Sequence, residues 1–420
     1  MKFNQWTLGL AAAGVINLAS AAKAEEAPSQ VLTALSSTTL SGYVDTSANW
    51  KFGTGRQIVG RFNDGTSKQD GFNLNVVKLS LEKPLSEGEW SAGYKFDMLF
   101  GPDAGLYNPS AISSSLAPGG VFPSLGDTAI KQAYVALRAP VGNGLDFKVG
   151  VFDTIIGYEV FESPNNPNFS RSYGWTLEPT QHTGILASYH VTEWMSVAGG
   201  IANTFNAGIN FRAARADAAG TFPAPPADES EKTYMGSFTL TAPESFGALK
   251  GAALYAGFVD GLNNTLSPTA GDTTSFYVGA TVPTPIEGLA FGAAYDYRAS
   301  QVLNAAGGTT ANYANAVSLY TSFTMNSWKF NNRIEYASGS YGTFGASTGG
   351  NGGADPKAPG TPEQLFSETF TVDYSLWANV LSRVEFRWDH DLKGKNGGAY
   401  PFGTDDQNAL TLALNIVYKF

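Results

Sequence analysis

The most chemically pointed stretch of the chain is Arg383-x-Glu385-x-Arg387-x-Asp389, four charges at a spacing of two. Side chains alternate across a strand, so this spacing puts all four on one face and Val384, Phe386 and Trp388 on the other. A strand charged on one side and aromatic on the other divides water from a non-aqueous phase. The division recurs. Lys329, Arg333 and Glu335 oppose Trp328, Phe330, Ile334 and Tyr336, and Asp296 and Arg298 oppose Phe291, Tyr295 and Tyr297. Lys95 and Asp97 oppose Trp90, Tyr94, Phe96 and Met98, and Asp45 and Lys51 oppose Leu40, Val44 and Trp50. Lys148 and Asp373 fall on the polar side of their own segments. The chemistry this pattern offers is a charged, water-facing wall.

Catalytic and metal readings are weaker. The three histidines, His182, His190 and His390, have neither HExxH spacing nor a nucleophile elbow beside them. Asp389, Asp391, Asp405 and Asp406 offer oxygen ligands but no EF-hand spacing. The glycines at 349, 350, 352 and 353 lack the strand-to-helix context of a phosphate cradle. There is no Cys, which excludes disulfides, thiolate metal sites and thiol catalysis. No enzyme activity, cofactor or metal is expected.

The elements that position the charged faces are read best from the last strand. In Asn408–Phe420, residues Leu410, Leu412, Leu414, Ile416, Tyr418 and Phe420 share one face, and Thr411, Ala413, Asn415, Val417 and Lys419 share the other. A closing strand that ends on Phe with Tyr two residues earlier is similar to the terminal signature of bacterial outer-membrane barrels, which the barrel-assembly machinery would engage. The apolar face would meet lipid, with Trp90, Trp328, Trp388, Tyr418 and Phe420 in the aromatic girdles.

Composition agrees. Charged residues are 15% and hydrophobic residues 43% of 420, yet no run reaches the ~18 apolar residues of a spanning helix. Strands apolar on one face only produce that combination. The formal net charge is −10, and an acidic chain does not attract nucleic acid. Lys2, the apolar segment Leu8 to Ala19 and Ala22-Lys23-Ala24 make residues 1–24 a secretory signal. Residues 25–37 show no strand pattern and form a periplasmic tail or short plug.

From Leu40 onward, segments of period two alternate with connections that are long, then short, throughout. The short ones are near 83–88, 140–144, 192–193, 243–247, 283–288, 326–327 and 377. The long ones are 53–70, 101–127, 153–180, 204–231, 260–273, 299–312, 338–364 and 390–407. Eight long and seven short connections join sixteen strands, with both ends of the barrel domain, 38–420, on the short-turn side. That is an all-β, single antiparallel transmembrane barrel with short periplasmic turns and long external loops. Residues 72–81 slip phase, which predicts a bulge. The segments 129–138, 194–203 and 249–259 choose no face, so the pattern also admits fourteen or eighteen strands. A soluble multi-domain β protein is the rival fold.

Loop 153–180 is more apolar and aromatic than the others, with Ile155, Ile156, Phe161 and Phe169. Such a loop must pack on something. It is expected to fold into the barrel, with Asp153, Glu159 and Arg171 bordering a constriction; packing outside on neighbouring loops is the other placement.

Gly150-x6-Gly157-Tyr158-Glu159, Asn168-x-Ser170-Arg171-Ser172-Tyr173 and Gln181-His182-Thr183-Gly184 resemble the OmpL-like putative β-barrel porin family of Gram-negative outer membranes. Ser41-Gly42-Tyr43-Val44-Asp45, Phe72-Asn73-Leu74-Asn75 and Leu79-Ser80-Leu81-Glu82-Lys83 look like the same family. The resemblance implies an outer-membrane barrel passing small solutes. The expected function is a water-filled channel for passive diffusion of small hydrophilic solutes and ions; the alternative is a non-conducting barrel acting as adhesin or surface scaffold. The expected partners are lipid, the diffusing solutes and, by analogy of fold, two further copies in a homotrimer.

Overall fold

The computed structural model describes residues 31–32, 37–52, 70–107, 128–213, 228–263, 271–303, 309–340, 344, 363–375, 377–394 and 407–420. The export signal lies outside the described residues, as does most of the segment 25–37.

A charged-in, apolar-out strand can span lipid only if every backbone N–H and C=O finds a partner, so the sheet must close on itself. It does. The strands are β1 (Thr39–Phe52), β2 (Gly71–Lys83), β3 (Ser91–Phe100), β4 (Thr128–Ala139), β5 (Leu145–Asp153), β6 (Gln181–Thr192), β7 (Met195–Ala202) and β8 (Thr233–Thr241). They continue as β9 (Ala253–Leu262), β10 (Asp272–Pro283), β11 (Leu289–Leu303), β12 (Thr309–Met325), β13 (Trp328–Gly339), β14 (Glu363–Tyr374), β15 (Val380–Asp391) and β16 (Asn408–Lys419). Each pairs antiparallel with the next, and β16 returns to β1 from Leu410 opposite Phe52 to Lys419 opposite Tyr43. The final residue extends the seam: the Gly42 amide donates to the Phe420 carbonyl at 2.9 Å and the Phe420 amide to the Gly42 carbonyl at 3.0 Å. A two-residue strand, Val31–Leu32, pairs with the start of β1.

The outer face is apolar. Leu414, Ile416 and Tyr418 on β16, and Val384 and Phe386 on β15, are exposed, while Ala413, Asn415 and Val417 between them are buried inside. Trp90, Trp328 and Tyr418 are exposed, and Trp388 and Phe420 are half-buried on the same outward face.

The phase slip in 72–81 is a bulge: the β1–β2 register shifts between Asp45 and Thr46, which turns Val76 inward beside Asn75. A second shift between Asp97 and Met98, across β3 and β4, turns Lys131 and Gln132 inward together and explains why 129–138 shows no clean alternation. Two connections differ from expectation, the short one at 243–247 widening to 242–252 between β8 and β9. The strands run through most of 299–312, because Ser300 and Gln301 keep pairing with Asn312 and Ala311, leaving only 304–308 between β11 and β12.

Candidate functional site

The charged wall and loop 153–180 form one structure. After β5 the chain turns into the barrel and crosses to the opposite wall, where β13, β14 and β15 receive it. Arg333 on β13 donates to Glu159 (2.8 Å) and to the Ser170 carbonyl (2.7 Å) of the loop, and to Glu335 (2.8 Å) on its own strand. Arg387 on β15 donates to the Ser170 hydroxyl (2.9 Å) and the Arg171 carbonyl (2.8 Å). Arg383 donates to the Ser163 and Asn166 carbonyls, both at 2.7 Å. The carboxylates receive the loop's amides: Glu385 accepts from Phe169 (2.6 Å) and Ser170 (2.9 Å), and Glu335 from Tyr173 (2.6 Å). A loop has no ladder of its own, so its buried backbone groups need such partners. The alternating row supplies arginines for the carbonyls and glutamates for the amides.

The near wall holds the other side. Lys78 on β2 and Lys131 on β4 pair with Glu162 at 2.5 and 3.1 Å, and Lys78 also reaches Asp97 at 3.0 Å. Burial would raise the Glu162 carboxyl, but Lys131 and Lys78 outweigh it and hold the group well below the usual range. At the end of the loop Glu178 behaves oppositely: burial first, then the neighbouring Asp296, push its carboxyl well above the usual range. Gly174 lies so close to the Asp296 carboxylate that a Cβ there would collide with it.

Apolar contacts fill what the ions leave. Ile156 packs with Phe152, Leu186, Met235, Val259 and Tyr277 on the inner wall of β5 to β10. Tyr173 and Leu177 pack with Ala314, Ala316, Ala337 and Leu365, and Phe161 with Tyr43, Val76, Leu99 and Tyr107. Tyr158 stacks on Tyr320 with centroids 4.2 Å apart.

Of the fourteen charged residues assigned to the lumen, ten are buried and four are partly exposed. Asp45, Asp97, Asp296, Arg298, Arg333, Glu335, Asp373, Arg383, Glu385 and Arg387 are buried, most of them against the loop. The four with partial exposure, Lys51, Lys95, Lys148 and Lys329, are all lysines. Of the residues assigned to a constriction, Asp153 ends β5 and pairs with Lys131. Glu159 is buried under Arg333, Tyr320 and Ser172. Arg171 is buried and donates to the carbonyls of Phe169 (2.7 Å) and Phe161 (2.6 Å). Sequence reasoning missed Lys78, Lys131 and Glu162, because Lys78 follows one shift in register, Lys131 is the extra residue of another, and the glutamate sits in a loop without period.

Two of the histidines hydrogen-bond to neighbouring wall and loop groups. His182 is buried at the loop's base, within 3.4 Å of the Thr204 carbonyl and 3.3 Å of the Thr154 hydroxyl. His190 shares a 2.9 Å hydrogen bond with Ser196, while Asp146 gives both oxygens to Arg138 (2.6 and 2.7 Å).

A family model described as "Putative beta-barrel porin-2, OmpL-like" matches residues 37–420. No curated protein sequence matches the chain. Among solved structures, it is similar to the outer membrane channel DcaP of Acinetobacter baumannii (TM-score 0.55, 11% identity, 91% of this chain and 97% of that one). It is also similar to an anion-selective porin from Comamonas acidovorans (0.55, 12%, 91% and 99%) and to OmpT of Vibrio cholerae in a trimer form (0.52, 14%, 91% and 99%). At these identities the likeness is one of fold.

Proposed function

This chain belongs to the OmpL-like β-barrel porin family, and on that footing we propose that it is an outer-membrane channel passing small hydrophilic solutes and ions by diffusion. The observation that carries the reading is the closed sixteen-strand ring with an apolar exterior and a charged interior. Eight strands fill with side chains, whereas sixteen enclose room for water. Here loop 153–180 takes up much of that room, so the channel is narrow, and Asp153, Glu159 and Arg171 set its width by fixing the loop. Charges on the inner face cost little and tune selectivity, whereas Lys or Arg facing lipid costs about 2–4 kcal/mol at the midplane.

The reading includes export by residues 1–24 in a Gram-negative cell, engagement of the assembly machinery by β16, and a homotrimer, as in the trimer form of the structurally similar Vibrio cholerae OmpT. Planar-bilayer recording of the purified barrel tests it: discrete conductance steps support diffusion. The burial of residues 161–175 favours a second reading, a non-conducting surface scaffold. Membranes that stay silent with correctly folded protein would select it.

A further inference from the structure

The charge of the whole chain and the charge of the inner wall near the short turns disagree in sign. The chain is acidic at −10. The inner wall on the short-turn side of the loop is not. Counting inward-facing charges within about five residues of the periplasmic turns, three are carboxylates: Glu82, Asp146 and Asp373. Each is matched to a cation, Glu82 to Lys95 at 2.9 Å, Asp146 to Arg138 at 2.6 Å and Asp373 to Arg383 at 3.0 Å. Three lysines remain, Lys148, Lys329 and Lys419. All three face inward with partial exposure, and none has a carboxylate among the described residues within ion-pair distance. Lys148 lies instead over the Tyr134 ring, 5.1 Å from its centroid. Lys329 is the second residue of β13 and Lys419 the last of β16, which places both at the periplasmic mouth.

From this we propose that the periplasmic half of the lumen is an anion-accepting vestibule, and that the solutes this channel favours are small anions, with carboxylate or phosphate as their recognised group. The proposal rests on the diffusion reading and names its substrate class. Walls of low dielectric focus the field of unmatched charges and raise the local concentration of counter-ions. The exposed glutamates on the periplasmic turns, Glu87, Glu89, Glu193 and Glu287, stand in bulk water. There a Debye length of about 8–10 Å screens them from the lumen. At the level of the loop, Lys78, Lys131, Arg333 and Arg387 are committed to carboxylates and add little to the field seen by a solute.

The test is the reversal potential across a KCl gradient, wild type beside the triple variant K148Q/K329Q/K419Q. Chloride should be favoured over potassium in the wild type, and the triple variant should lower the chloride-to-potassium ratio by about threefold or more. A cation-selective wild type, or a ratio unchanged by the triple substitution, overturns the proposal. Should the wild type form no conducting steps, diffusion fails as a reading and the vestibule is judged by titrating pyrophosphate into detergent-solubilised barrel. Saturable binding lost in the triple variant upholds it, and no saturable binding overturns it. Heat-modifiable migration on a gel verifies that each variant has folded.

Discussion

Replacing Arg333 by methionine should release the loop while leaving the barrel intact. Arg333 is fully buried and joins the Glu159 carboxylate and Ser170 carbonyl of the loop to Glu335 of the wall. Methionine keeps much of the volume and none of the donors. Removing one partner of a buried pair costs about 3–5 kcal/mol, because the other charge stays buried and under-satisfied. Glu159 retains the Tyr320 hydroxyl (3.0 Å) and the Ser172 amide (2.9 Å), and Glu335 retains Arg387 (3.2 Å). Those survivors put the cost at the lower end, about 3 kcal/mol. At 1.4 kcal/mol per factor of ten, the undocked loop gains about a hundredfold in population. The chain has no native Cys, so P167C provides a single reporter at a buried loop position. With fast opening and closing, maleimide labelling tracks the open population. The R333M background should accelerate it about a hundredfold. Sixteen paired strands hold the cylinder without this residue, so heat-modifiable migration should persist. Unchanged labelling would refute the anchoring role, and loss of the heat-resistant form would show that Arg333 supports the wall.

Glu178 makes the loop's far end sensitive to pH. Its carboxyl is raised by burial and by Asp296, so its contribution is fully present below the ordinary carboxylate range and is lost as pH rises through the raised value. Labelling of T176C should therefore quicken with pH more steeply than in an E178Q background, which removes the titration; parallel profiles would show that Glu178 does not govern this end. On the outer surface, V384R puts a cation on the exposed apolar face of β15 and should cost about 2–4 kcal/mol if the site is near the midplane. The inward substitution S322R should cost under half of that, and urea titration of folding into lipid vesicles compares the two.

Much of the barrel was legible because lipid enforces a period of two: β1, β13, β15 and β16 could be read residue by residue. The ambiguous segments became so for identifiable reasons. Inward positions of β7, β8 and β9 carry Ala198, Ala202, Met235, Tyr255 and Val259 because the apolar part of the loop packs there, so both faces of those strands look alike. In β4 a register shift breaks the alternation. The loop's composition showed that it must pack, with the barrel interior favoured over neighbouring external loops, and the fold places it inside. The arginine–glutamate row was visible as a charged face. Its partners, the amides and carbonyls of residues 163–173, were not, since backbone groups carry no sequence signature. Lys78, Lys131 and Glu162 were missed for the related reason that long-range pairing leaves no local pattern.

Conduction through the sixteen-strand cylinder, with the loop inside it setting the width, is what we propose. Single-channel recording of wild type beside a chain lacking 158–172 tests this most directly. Discrete steps are expected in both, with larger conductance in the deletion. Equal conductance, or silence from both folded proteins, would contradict it.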